Sequence, residues 1–175
     1  MNASNRRGFS LLELMIVMVI AGILLALATL NFSSMQRKYS IESQMRTLQA
    51  DILEIRQRAM VTRMVHRLQF NANPAVSYVF RRYSTDNDVA GTVVVGSQKA
   101  VRYPITLSGW ASPTATAIDF SEQGLMRDPI GKSFCVYSAD NPSVDAVVLL
   151  PSRVSVGRII DQGVITCGRP NITIR

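Results

Sequence analysis

The sequence predicts an α+β protein: a long N-terminal α-helix whose first half spans a membrane, followed by a small all-β domain folded as a sandwich or a curved pair of sheets. Three observations carry that expectation. Residues 9–30 are apolar but for one carboxylate, the residues after them keep a helical period, and everything beyond Met64 falls into short β-rich runs separated by turn signals. Setting aside the first thirty of the 175 residues leaves about 145, the commonest size for a single hydrophobic core.

The first element is the apolar run. From Phe9 to Leu30 there are 22 residues, and Glu13 is their only charge. As a helix at ~1.5 Å per residue this run reaches ~33 Å, enough for a ~30 Å hydrocarbon core. A secretory signal has a shorter apolar region closed by small residues at a cleavage site. Here Asn31-Phe32-Ser33-Ser34-Met35 leads straight into more helical sequence, so the segment is expected to be retained. Arg6 and Arg7 before it favour a cytoplasmic N-terminus, although Arg37 and Lys38 beyond it weaken that inference. A charge near the middle of a membrane helix costs roughly 2.5–3.5 kcal/mol. Glu13 therefore needs a reason.

The helix is expected to continue. Met45, Leu48, Ile52, Ile55 and Ala59 recur at spacings of three and four, while Arg46, Gln49, Arg56, Gln57 and Arg63 occupy other faces. No Gly or Pro interrupts residues 23–73, so one helix is read from about Phe9 to Val61 or a little beyond. At ~1.5 Å per residue it would extend roughly 80 Å, the length of a stalk.

Strands are expected at Val65–Phe70, Val76–Tyr83, Thr92–Val95, Ala100–Leu107, Ala117–Phe120, Phe134–Ser138, Val144–Leu149, Arg153–Ile160 and Gly163–Cys167. Asn71-Ala72-Asn73-Pro74, Asp86-Asn87-Asp88, Asp140-Asn141-Pro142 and Asp161-Gln162-Gly163 punctuate them. The domain boundaries follow: 1–8, 9–30 for the membrane half of the helix, 31–63 for its amphipathic half, and 64–175 for the β-rich domain.

Chemistry is sparse. The single histidine, His66, has no evident partner to orient it, and Asp119 with Glu122 reads as loop decoration. Neither a Gly-x-Ser-x-Gly elbow nor a phosphate-binding Gly-rich loop is present, so no catalytic residue, metal site or cofactor is expected. Cys135 and Cys167 form an even pair that suggests a bridge in an oxidising compartment, the alternative being two separately buried thiols. The formal net charge of +7 favours anionic partners, or is simply a solvated surface.

Gly8-Phe9-Ser10-Leu11-Leu12-Glu13, after a short basic leader, resembles the processing motif of type IV pilins. The resemblance implies that a prepilin peptidase cuts after Gly8 and methylates the new amine of Phe9, removing residues 1–8 as a leader. It also implies a reason for Glu13, which lies one helical turn from that amine and can neutralise it within the chain or on a neighbouring subunit. Breaking such a buried pair costs about 3–5 kcal/mol. A carboxylate snorkelling to lipid headgroups is the plainer alternative. Many pilins carry a proline late in the anchor. Leu30 stands near that place here, so no kink is expected.

The order of elements resembles the GspH/FimT branch of pilin-like proteins, with MVHRLQFN, AIDFSEQGLM and SRVSVGRI similar to its strand motifs. That likeness implies a minor pilin or pseudopilin at the tip or initiation complex of a type IV pilus or type II secretion pseudopilus, the alternative outside the family being a single-pass envelope protein whose N-terminus only mimics the motif. Its partners would be the prepilin peptidase and other pilin subunits. It would sit in the inner membrane with its β domain in the periplasm until assembled. A Cys135–Cys167 disulfide is implied as well. Some members of the branch take part in DNA uptake, and the basic C-terminus resembles their tails. Arg169 and Arg175 on a free tail, with Arg158 a little upstream in an expected strand, are then candidate phosphate contacts, against the reading of a solvated or subunit-facing segment.

Overall fold

The computed structural model describes residues 10–85, 88, 90–109, 116–163 and 167–174, apart from the side chains of residues 27–31. Its contacts divide the chain into two compact units, Met1–Arg37 and Lys38–Arg175. In the first unit, helix α1 (Leu11–Thr62) starts where the Ser10 carbonyl accepts hydrogen bonds from the amides of Glu13 and Leu14 at 3.1 and 3.2 Å. Glu13 lies in that first turn, where a carboxylate complements the unpaired amides of a helix start. The apolar side chains from Leu11 to Leu25 are exposed. Among the described residues no helix is long and apolar enough to cross a membrane. The side chains of 27–31, which complete the apolar run, lie outside the described set.

In the second unit, α1 turns a narrow stripe toward the sheet. Ile41, Met45, Leu48, Ile52, Ile55 and Ala59 alternate steps of four and three and are each at most 1% exposed. Each large aliphatic side chain so placed contributes about 1.5–3 kcal/mol of burial. They meet the inward residues of β1 (Val65–Phe70) and β2 (Ala75–Tyr83), where Leu68, Phe70, Tyr78 and Phe80 are buried. Phe70 packs 5.6 Å from the ring of Tyr78 and 5.4 Å from that of Phe134.

The remaining strands are β3 (Thr92–Val93), β4 (Lys99–Ser108), β5 (Ala117–Phe120), β6 (Lys132–Cys135), β7 (Ala146–Leu149), β8 (Val154–Ile159) and β9 (Ile172–Ile174). All pairings are antiparallel, in the order β5-β1-β2-β4-β6-β7-β8-β9, with β3 also on β2. The path is continuous. Of the two architectures the sequence allowed, it is not a sandwich of separately paired sheets: β4 serves both halves, its first part on β2 and Thr106–Ser108 on β6.

Pro104 sits at the join. It cannot donate to a ladder, and the β2–β4 register shifts across this stretch. The helix supplies what the ladder loses: Gln44 Nε2 donates to the Tyr103 carbonyl at 2.8 Å, and the Tyr103 amide donates to Gln44 Oε1 at 2.9 Å. Asn73 does the same one step on, its amide group exchanging both bonds with the Leu107 backbone at 3.0 and 2.9 Å. Two further contacts tie the helix to loops of the domain. Glu42 Oε1 accepts from the Ser143 amide at 2.7 Å, and Arg56 Nε donates to the Gly124 carbonyl at 2.8 Å. Gly124 has a φ of +71°, and a Cβ there would lie 2.8 Å from Met60 Cγ, so only glycine lets this loop reach the helix.

Asp51 is the polar point inside this interface. At 4% exposure it accepts from Tyr78 Oη at 2.5 Å and from Lys99 Nζ at 2.6 Å. Burial first, then the hydrogen bond to Asp51, holds the Tyr78 hydroxyl protonated far above its ordinary range.

Most of the expected strands form. Three expectations need correction. The sixth strand begins at Lys132 rather than Phe134 and ends at Cys135. The strand expected at Gly163–Cys167 has Gly163 in a turn and Cys167 outside any strand, with 164–166 outside the described residues. The final strand is β9, in the stretch read as a free tail.

Two consequences are measurable. Ile52→Ala, in the centre of the stripe, should cost about 2–5 kcal/mol in urea denaturation. Leu53→Ala, at 46% exposure next to it, should stay within about 0.5 kcal/mol. The second concerns alkali. A tyrosine protonated in the fold but ionising near pH 10 once unfolded stabilises fully below that pH and progressively less above it. The urea midpoint should fall as pH climbs past about 10, and Tyr78→Phe should flatten that fall. An equal slope in both proteins would refute the assignment.

Candidate functional site

The C-terminal candidate residues are assembled from three elements. β6 and β7 are buried on both faces. On one face Phe134, Val147 and Leu149 join the helix core, and on the other Cys135, Ala146 and Val148 form a second cluster with Ile159, Cys167 and Ile172. Cys135 and Cys167 are joined by a disulfide, with Cα atoms 5.7 Å apart and a sequence separation of 32. The expected bridge is therefore present, and it closes the second cluster.

Behind it the chain is fastened to β8. Residues Arg169–Asn171 make a 3₁₀ turn, with Pro170 in its first positions where a missing N–H costs nothing. Asn171 holds the turn by three bonds: its carbonyl accepts from the Ile160 amide at 2.9 Å, Oδ1 from the Asp161 amide at 2.9 Å, and Nδ2 donates to the Asp161 carbonyl at 3.0 Å. β9 then pairs with β8, placing Gly157 opposite Ile174 and Arg158 opposite Thr173. Gly157 makes the approach feasible, since a Cβ there would meet Ile172 Cγ2 at 2.5 Å.

Asp145, fully buried, braces the same region. Its Oδ1 accepts from the Ile159 amide and its Oδ2 from Gln162 Nε2, both at 2.7 Å. Burial pushes its carboxyl above the ordinary carboxylate value, against the pull of those hydrogen bonds and of the nearby Arg158 charge.

The expectation of a free tail is corrected: this segment is turn and strand, locked to the domain by a disulfide and a ladder. Arg169 is exposed on it and Arg158 is exposed on β8 beside it, and Arg175 lies outside the described residues. Gly157 and Asn171 were missed as structural determinants. A glycine inside an alternating strand was the available signal, marking close approach of another backbone.

Asp119 is also reassigned. It lies in β5 opposite Arg67 of β1, and the two side chains pair through Nε–Oδ1 at 2.5 Å and Nη2–Oδ2 at 2.8 Å. The same guanidinium stacks 4.7 Å over the Tyr83 ring. Asp119 is thus a strand-to-strand tie rather than loop decoration. Glu122 remains exposed.

At the other end, Gly8 and Phe9 lie outside the described residues, and Glu13 is exposed in the first turn of α1. Residues 3–29 match the family model described as the prokaryotic N-terminal methylation motif. The N-terminus is type IV pilin-like. Among solved structures, the chain is similar to the type IV minor pilin FimU of Pseudomonas aeruginosa (strain PAO1) in two crystal forms. One shares 12% identity over 65% of this chain and 90% of that one, with a TM-score of 0.47. The other shares 14% identity over 81% and 92%, with a TM-score of 0.45. No curated protein matches the chain.

Opening the Cys135–Cys167 loop should cost about 3–4 kcal/mol on the chain-entropy model. The double variant Cys135→Ser, Cys167→Ser should also exchange the β9 amides faster than those of β1. Equal protection of β9 with and without the bridge would show that the ladder alone holds the segment.

Proposed function

We propose that this chain is a minor pilin or pseudopilin, a non-enzymatic subunit without a cofactor that works by assembly. Residues 9–30 hold it in the inner membrane with the β domain on the periplasmic side. Prepilin peptidase cuts after Gly8 and methylates Phe9, and the helix then joins those of other subunits in a type IV pilus or type II secretion pseudopilus. The observation that carries this reading is the methylation motif at residues 3–29. The exposed apolar side chains of Leu11 to Leu25 support it, because a surface of that kind is stable only against lipid or other helices. The oxidised Cys135–Cys167 pair suits a periplasmic domain. DNA uptake is the rival finer role, and it rests on the exposed Arg158 and Arg169 alone.

Mass spectrometry of the mature chain tests the proposal. Its first residue should be N-methyl-Phe9, and replacing Gly8 by a bulky residue should leave the precursor uncut. Glu13→Ala should still be cut but should enter filaments poorly, since the amine of Phe9 loses its partner. A wild-type chain that keeps Met1 would overturn the assignment.

A further inference from the structure

His66, Arg82 and Thr92 stand in one row across three strands, His66 opposite Arg82 and Arg82 opposite Thr92. They line a cavity of about 280 Å³ whose other wall is the end of α1, from which Arg58 enters. The titratable side chains in its lining are Arg58, His66 and Arg82, with no carboxylate among them. Arg82 and Arg58 bring two positive charges to this one cavity, and like charges held close ordinarily carry a counter-group. The neighbouring row does: Arg67 and Arg81 also face each other, and Arg67 is matched by Asp119 while Arg81 Nη1 donates to the Ala90 carbonyl. Arg82 has no ion-pair or hydrogen-bond partner among the described residues.

The imidazole is set for a second contact. His66 is 2% exposed, and its Nδ1 lies 3.0 Å from the Met64 carbonyl. A carbonyl can only accept, so the proton is on Nδ1 and Nε2 carries a lone pair with no partner among the described residues. Arg58 binds Glu54 Oε1 through Nε and Nη2 at 2.9 and 2.6 Å, leaving Nη1 outside that pair.

We propose that this cavity is a binding site for a phosphate-class oxyanion, held by Arg82 and Arg58 and by Nε2 of a His66 that takes up a proton as the anion enters. An oxyanion supplies the counter-charge that the His66–Arg82 row lacks, and it offers acceptors to the guanidinium fork and to a protonated Nε2. Proton and anion then favour one another. In the empty cavity, burial first and the charges of Arg82 and Arg58 after it hold the His66 pKa below its ordinary value, against the Met64 carbonyl. The charges that act on the ring are Arg82 of β2 and Arg58 of α1, the latter paired with Glu54. β3 brings only Thr92 and Val93, and β5 sets Phe120 opposite His66. An anion beside the two arginines reverses the sign of the local field, so binding tightens as pH falls.

His66 is the only histidine, which makes its resonance an unambiguous probe in the full chain. Its titration is followed by NMR in maltoside micelles at fixed ionic strength, with chloride, inorganic phosphate or dimethyl phosphate as the anion. In chloride the pKa should lie below the ordinary 6.5. It should rise by about half a unit or more with phosphate. In Arg82→Gln it should start higher and no longer respond. Arg82→Lys, which keeps the charge without the planar fork, should retain part of the response and so separates lost binding from lost folding. A response to inorganic phosphate alone identifies a free anion, and one to dimethyl phosphate identifies a diester such as a lipid headgroup. The same titration curve in all three anions overturns the proposal.

Discussion

The β domain depends on one narrow strip of helix. Its strands are short, several of them four residues or fewer, and strands of that length do not hold a sheet without a packed face. The strip from Ile41 to Ala59 supplies the face. Its alternating steps of four and three keep six side chains on one line of the helix, so the sheet can wrap a straight edge. The polar contacts then fix where along that line each part of the sheet sits. Gln44 sets β4, Asp51 sets β2 through Tyr78, and Arg56 sets the loop after β5.

The second constraint is that β6 and β7 need cover on both sides. α1 provides it on one face. On the other the chain returns after β8, and the disulfide, the Asn171 turn and β9 keep it there. The arginines at this end are consequently presented from a fixed base, which distinguishes them from charges on a loose terminus. The motif residues Arg67 and Asp119, remote in sequence, meet at the opposite end of the sheet for a related reason: β5 is an edge strand, and the ion pair helps hold it on β1.

Much of this was legible in the sequence because burial there follows a simple period. The stripe on α1 shows as spacing, and β1 shows as alternation with Leu68 and Phe70 inward. What was not legible depended on partners distant in sequence. Lys132 and Ser133 do not read as interior strand, yet Lys132 is 1% exposed because its ammonium reaches the Gly109 carbonyl at 2.6 Å and the Asp128 carboxylate. Three residues, Ile172 to Ile174, carry too little pattern to announce a strand, and only the space above Gly157 reveals it. For the candidate site, the processing motif was visible as a local string. The row of His66, Arg82 and Thr92 was not, since its members lie on three strands and become neighbours only through register.

The bonds between Gln44 and Tyr103 have a mechanical consequence. They run sideways from the helix to β4, like the rungs of a ladder, and Glu42 and Arg56 add further rungs above and below. A tension applied along α1 therefore loads these bonds in shear, all together, rather than peeling them one after another.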